Sequence, residues 1–309
     1  MIRITVQGIN SDTTSAYRYT IAGQPIVVQQ EVAALEKFSE GTASTQFAEL
    51  LATYRPIKAL SAANSEMRYH DLTPLDGEPR RLRYWRKGRR GQIDVDGMPC
   101  CYVDFKDSHI HVLNGRDMNA QLNLEAVIGL ALAVLLAYSS NYCLHASAVS
   151  TPAGNIAFIG DSGSGKSTLA LDQGEAWRQI SDDVLPLRAI KGQRLIEMHA
   201  DFPQLKLNKA CVPQDIPEVK ILDLLVRLKA VATGDIEFNE VPLKESLVEV
   251  VRHTVAAKFF SAPMMEKHAS FARKVSLCVP MVELAYPQEW EQLPELRQHI
   301  VKFCADKLA

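Results

Sequence analysis

The chain has 309 residues, 47% of them apolar, and a net charge of −2. That length suits two domains, the apolar share can fill their cores, and the near-neutral balance supplies no global field to attract nucleic acid. Six scattered cysteines (Cys100, Cys101, Cys143, Cys211, Cys278, Cys304) include no C-x-x-C pair, which argues against zinc and for reduced thiols in a cytoplasmic protein.

The opening Met1-Ile2-Arg3-Ile4-Thr5-Val6 reads as a strand, so no secretory signal is expected. Short strands are predicted at 17–20 and 26–28 around Ala22-Gly23, and helices over 31–38 and 45–54. Four strand-like runs follow, at 83–85, 92–95, 101–105 and 109–112, with turns at Asp96-Gly97 and Asn114-Gly115. Residues 1–120 are thus expected to be a β-rich, mixed domain. One charged run stands out in it: Arg80, Arg81, Arg83, Arg86, Lys87, Arg89 and Arg90 surround Tyr84 and Trp85. Such a run can grip RNA or an acidic peptide, or it can guard strand edges against aggregation. Here it is read as helping to present a substrate.

The pattern changes near residue 121. A long apolar helix is predicted over 122–137, its most apolar 12 residues too few to span a bilayer. A strand is expected over 142–150, and a second over 155–160. The second feeds Gly160-Asp161-Ser162-Gly163-Ser164-Gly165-Lys166-Ser167-Thr168, which reads G-x-x-x-x-G-K-[ST]. A helix is expected over 167–173. Strand, glycine-rich turn and helix are the context a phosphate-binding loop requires. The turn points backbone N–H groups into one cavity, and glycines allow close approach of a phosphate. Lys166 would reach the β- and γ-phosphates of ATP, and the Ser167 hydroxyl would bind Mg²⁺.

Strands are predicted at 178–180 and 184–187, flanking Ser181-Asp182-Asp183. The two carboxylates follow Lys166 by 16 and 17 positions, about one helix and one returning strand. They are expected at the end of a strand next to the loop's own strand. One of them would then bind Mg²⁺ directly or through water, and the other would accept the proton of a hydroxyl nucleophile. His145 on the preceding strand would tune or orient the pair. Farther on, an amphipathic helix is predicted over 247–260 from Leu247, Val250, Val251, Val255 and Phe259. The division into domains is placed near residue 120, with 121–309 as an α/β nucleotide-binding domain.

Leu144-His145-Ala146, the loop from Gly160, and Arg178-Gln179-Ile180-Ser181-Asp182-Asp183 together resemble the catalytic half of the HPr kinase/phosphorylase family, including the precursor-peptide kinases of lasso-peptide clusters. The resemblance covers about residues 140–190, and more weakly the region from 121. It implies a P-loop kinase domain with a nucleotide fold like that of phosphoenolpyruvate carboxykinase, ATP and Mg²⁺ as cofactors, and transfer to a serine hydroxyl. It assigns Asp182 as catalytic base, Ser167 to the metal, His145 and Lys166 to the active site, and it implies self-assembly. Thr168 stands where that family has a Glu, with Glu197 the substitute candidate. The later glycine-rich signature and the Arg-bearing loop of the reverse reaction are not visible. The expectation is therefore a kinase for a serine in a peptide or protein, with a lasso-type precursor more specific than HPr. HPr itself, free serine or a sugar remain alternatives. An ABC-type ATPase would need an LSGGQ-like signature and an apolar run into Asp-Glu, and neither follows Thr168. A nucleotide-gated binding module is the remaining reading. It would not need the Asp182–Asp183 pair.

Overall fold

The computed structural model describes residues 1–7, 16–42, 60, 64–113, 116–171, 173, 176–200, 202–203, 205, 219–288 and 290–308. The helix expected over 45–54, the Asn114-Gly115 turn and Cys211 lie outside them. The chain forms a mixed α/β structure with three sheets in two compact units. One unit comprises 1–139 with 256–264, the other 140–255 with 265–309. The division falls at Ser139/Ser140 rather than near residue 120.

The first unit holds a nine-stranded sheet in the order β4-β2-β3-β1-β9-β8-β7-β6-β5. Its strands are β1 (Ile2–Val6), β2 (Tyr17–Ile21), β3 (Gln24–Val28), β4 (Ser39–Thr42), β5 (Glu66–Leu75), β6 (Glu78–Lys87), β7 (Arg90–Val95), β8 (Met98–Asp104) and β9 (His109–Val112). β1 runs parallel to both of its neighbours, and every other pairing is antiparallel. Ala22-Gly23 and Asp96-Gly97 turn with φ of 53°, 64°, 51° and 83°, the positive angles of a two-residue hairpin. Residues 33–38 form a 3₁₀ helix, shorter than expected.

Helix α1 (Gln121–Tyr138) belongs to this unit because it packs on β8 and β9. It is wound as a π-helix over Glu125–Ala131. Its one buried carboxylate, Glu125, accepts hydrogen bonds from Asp76 N (3.0 Å) and Gln121 Nε2 (2.6 Å). At 18 residues the helix is longer than its 12-residue apolar core, and apolar enough by length alone to cross a membrane; 72% of it is buried inside the protein.

The basic run lies on β6 and β7, with Tyr84 buried and Trp85 half-buried on the opposite face of the strand. Tyr84 is buried and stacks on Phe259 with ring centroids 4.6 Å apart, and Trp85 Nε1 donates to Asp94 at 2.6 Å. Arg86 is also buried, its guanidinium 4.4 Å from the centre of the Phe105 ring. It is therefore a core residue and drops out of any presenting surface.

The second unit holds two sheets. The first is antiparallel, in the order β10-β14-β15-β16: β10 (Asn141–His145), β14 (Val184–Ala189), β15 (Ile196–His199) and β16 (Val219–Ile221). The second has the order β13-β11-β12-β17-β19-β18: β11 (Ser147–Thr151), β12 (Gly154–Ile159), β13 (Arg178–Ser181), β17 (Leu224–Val231), β18 (Glu237–Glu240) and β19 (Met281–Pro287). β12, β17 and β19 are parallel. Helices α2 (Lys166–Ala170) and α5 (Leu293–Leu308) cover these strands, with Phe158, Leu169, Trp177, Val226, Leu284 and Ile300 in the shared core.

Three expectations change here. The strand expected over 142–150 is two strands in different sheets, broken at buried Ala146. β13 does not adjoin β12, since β11 lies between them. The helix expected over 247–260 is α3 (Leu243–Arg252) alone. The chain leaves the helix because its next residues are taken by β10: His145 N donates to His253 O and Val255 N to Cys143 O, both at 2.7 Å. Ala256 then turns at φ 59°, and Phe259 packs in the first unit. Helix α4 (Ala262–Cys278) follows, with Phe271 stacked on Tyr142.

α2 is only five residues long. Its end is closed by Arg297 of α5, whose guanidinium donates to the carbonyls of Thr168, Leu169 and Leu171 at 3.1–3.3 Å. Trp177 Nε1 adds a bond to Leu169 O at 2.9 Å. Hydrogen bonds from a charged donor are worth about 1.5–3 kcal/mol each, and orphaned buried carbonyls carry their own penalty. Arg297→Ala is expected to cost about 3 kcal/mol in urea unfolding, against about 0.5 kcal/mol for an ordinary surface change.

Candidate functional site

The glycine-rich loop leaves β12 at Gly160 and enters α2 at Lys166. Gly160, Gly163 and Gly165 have φ of 155°, 81° and 84°. A Cβ on Gly160 would come within 2.7 Å of Ser164 Oγ and 3.0 Å of Leu228 O, and one on Gly165 within 2.5 Å of the Tyr286 hydroxyl. The loop is pinned by its carbonyls. Lys166 Nζ donates to Gly160 O (2.8 Å) and Asp161 O (3.0 Å), Gln288 Nε2 to Gly163 O (2.7 Å) and the Tyr286 hydroxyl to Ser164 O (2.6 Å). The C=O and N–H of a trans peptide point opposite ways, so holding the Ser164 carbonyl on Tyr286 aims the Gly165 N–H away from β19. With so short a helix behind the loop, these amides and Lys166 are the main positive features, not a helix dipole.

Asp182 and Asp183 sit where the chain crosses from β13 to β14, beside the crossing from β10 to β11. The two crossings are bonded together. Ser147 Oγ donates to Asp182 O (2.5 Å) and approaches Asp182 Oδ1 (3.3 Å), and Ala146 N donates to Asp183 O (3.3 Å). His145 Nδ1 lies 3.1 Å from both the carbonyl and the carboxylate of Asp183. The Asp182 carboxylate bonds the Ser167 hydroxyl at the head of α2. The carboxylates thus divide: Asp182 turns to Ser167 and Ser147, Asp183 to His145. Burial pushes the Asp182 pKa up, and the charge of Asp183 adds to this. The Ser167 and Ser147 hydrogen bonds and His145 pull it the other way. Glu197 is not part of this group; Arg188 on the neighbouring strand binds it at 2.6–2.7 Å. Among the described residues no three His, Cys, Asp or Glu side chains come together as a metal cage.

A pocket of about 250 Å³ opens beside Gly160 and Asp161. Arg227 of β17 reaches into it from between Glu283 (2.7 Å), Glu245 (2.7 Å) and Glu249 (3.3 Å). Lys229 pairs with Glu283 at 3.1 Å, and Arg252 spans from the end of α3 to Asp161 at 2.5 Å. His253 is buried, which lowers its pKa; Glu249 raises it, while Arg252, Lys166 and His145 lower it further. Beyond Gly160 and Asp161, the reading from sequence missed these residues. Their signal was Arg227, Lys229 and Glu283 interrupting otherwise apolar strands, and Glu245, Glu249 and Arg252 at helical spacing.

No protein-family model matches the chain, and no curated protein matches it. Among solved structures it is weakly similar to the HPr(Ser) kinase/phosphatase from Coxiella burnetii, with 12% identity and a TM-score of 0.31, over 52% of this chain and 97% of that one.

Proposed function

We propose that the protein is a cytoplasmic, ATP- and Mg²⁺-dependent kinase that phosphorylates a serine hydroxyl of a peptide or protein, as in lasso-peptide precursors. One observation carries the reading: a glycine loop centred on buried Lys166, with Asp182 bonded to the Ser167 hydroxyl at its exit. The residues fit the nucleotide. Gly160 and Gly165 stand where a side chain would collide with the loop's own supports. Lys166 is held by two loop carbonyls, bonds it can exchange for phosphate oxygens. They also fit Mg²⁺, which is usually held by one or two carboxylates together with substrate phosphates rather than by an all-protein cage. Ser167 and Asp183 are its proposed ligands, and the ion would supply charge neutralisation between the phosphates.

The other roles follow from the side chains. Asp182, with its proton affinity raised by burial, takes the acceptor's proton, and its bond to Ser167 steadies that hydroxyl. His145 holds Asp183 in place. Lys166 and the loop amides, from Asp161 to Thr168, bind and orient the phosphates. A second reading, a small-molecule acceptor, is favoured by the small, open pocket beside Gly160.

The test is incubation with Mg²⁺ and γ-labelled ATP, reading acceptors by mass for a gain of about 80 daltons per phosphoryl group. Lys166→Ala is expected to weaken binding of a fluorescent ATP analogue at least about tenfold and to abolish transfer. Asp182→Asn is expected to keep ATP affinity within about twofold while turnover falls by about 10² or more, the usual share of a general base; normal turnover would remove Asp182 from its role. Asp183→Asn is instead expected to raise the Mg²⁺ concentration needed for half-maximal rate.

The pH dependence has a definite sign. A carboxylate whose pKa is raised on folding favours the folded state when protonated, and that contribution is lost as pH rises through the folded pKa. The Asp182→Asn protein is therefore expected to melt higher than the parent at pH 7, with the gap closing toward pH about 4, near the ordinary Asp value. Parent turnover is expected to climb along an acid limb centred above that value.

A further inference from the structure

We propose that the charged pocket beside Gly160 is the acceptor site, and that it takes a free hydroxy amino acid, a small hydroxyl compound carrying both an ammonium and a carboxylate. This rests on the kinase chemistry above and develops its second reading, a small-molecule acceptor, in place of the peptide.

Place and size come first. Gly160 directly follows β12, one of three parallel strands, and ligands of such sheets bind beyond the carboxyl ends of the strands. At about 250 Å³ the pocket falls just below the usual range of about 300–1,000 Å³ for small-molecule sites. Leu228 is its one apolar side chain and the His253 imidazole its one ring. So small and so charged a lining suits a compact polar acceptor better than an adenine.

Charge narrows the class. Arg227, Lys229 and Arg252 face Asp161, Glu249 and Glu283. A ligand of one sign, such as inorganic phosphate, would answer one set only by drawing it from its present ion-pair partners in the other. A zwitterion answers both. Glu249 and His253 are each only 7% exposed. Glu249 Oε2 and His253 Nε2 face each other at 3.2 Å, and among the described residues neither atom, nor Arg227 Nε, makes a well-aligned hydrogen bond. Glu249 is the group for an ammonium and His253 for a hydroxyl or ammonium N–H. Arg252 and Lys229 are 54% and 58% exposed, free to swing onto a carboxylate. The His253 carbonyl accepts a hydrogen bond from His145 N at 2.7 Å, which joins the pocket to the residue that holds Asp183. An internal peptide serine offers neither charge.

In the transfer, the bond from the γ-phosphorus to the β–γ bridging oxygen breaks, and its electron pair leaves with ADP. A bond forms from phosphorus to the amino acid's hydroxyl oxygen, and the hydroxyl proton passes to Asp182. Nothing is oxidised or reduced.

The test uses the full chain with Mg²⁺ and ATP, preceded by a titration of ATP binding. L-serine, L-threonine and L-homoserine are compared with N-acetyl-L-serine amide, glycerol and a serine-containing peptide, with products read by ³¹P NMR and mass. A free amino acid is expected to accept phosphate with kcat/KM at least about tenfold above its capped amide, the size of one lost charged contact. Glu249→Gln, and Arg252→Ala at an exposed position that folding tolerates, are each expected to raise its KM about tenfold with the Kd for ATP unchanged. Equal or better use of the capped amide or the peptide overturns the proposal, as does ATP binding with no amino acid accepted. Failure of the ATP titration overturns the kinase reading itself, and is seen before any acceptor is added.

Discussion

Two chain crossings lie side by side in the second unit, and the hydrogen bonds between them position His145, Asp182 and Asp183. β10 and β14 belong to one sheet, and β11 and β13 to another. The chain passes between the sheets once at Ala146 and once at Asp182-Asp183. The register fixes the spacing, with His145 opposite Val184 and Ala148 opposite Ser181. Strands must break where they change sheets, and broken strands leave backbone groups to satisfy. Here Ser147 and Ala146 of one crossing satisfy the carbonyls of the other. The site's carboxylates are thus projected from backbone that the fold itself has to secure.

Across β12 from these crossings the electrostatics take another form. Arg227 stands among three carboxylates, opposite Glu283 in the strand register. Ion pairs of this kind lose most of their mutual attraction to desolvation, and replacing them with apolar groups is often neutral. A cluster in that position is poor at stabilising a fold and well suited to holding defined charges at the edge of a cavity. The second unit therefore carries both the Asp182–Asp183 crossing and a charge-balanced cavity beside the same glycine loop.

The loop was legible from sequence because its requirements are local. Glycine spacing, Lys166 and the flanking apolar run are contiguous, and the structure forms strand, loop and helix where they were expected. The pairing of His145 with the Asp182–Asp183 segment was also legible, through residues that the topology does bring together. What escaped was global. Alternation across Leu144, Ala146 and Ala148 is blind to a change of sheet at Ala146. Periodicity through Val255 and Phe259 continues although the chain has left the helix, because those residues are apolar for different neighbours. The five-residue length of α2 depends on Arg297, well over one hundred positions away, and the pocket on Arg227, Glu249 and Glu283 meeting in space. In the first unit, charge counting placed Arg86 on a surface, whereas its stem and guanidinium lie against Phe105.

The carbonyls that shape the loop are held by Tyr286 and Gln288, 122 and 125 residues away from their partners, and Tyr286 lies near the end of β19, which reaches the loop's strand only through its parallel pairing with β17. Parallel, long-range pairings close late in folding. The loop consequently acquires its shape as one of the last events of assembly, when the final strand docks and its hydroxyl meets the Ser164 carbonyl. A nascent or partly opened chain lacks a working loop even with every loop residue intact. Anything that binds the finished loop also clamps the C-terminal strand and helix, so ligand occupancy would be read out in hydrogen exchange as protection of residues 281–308.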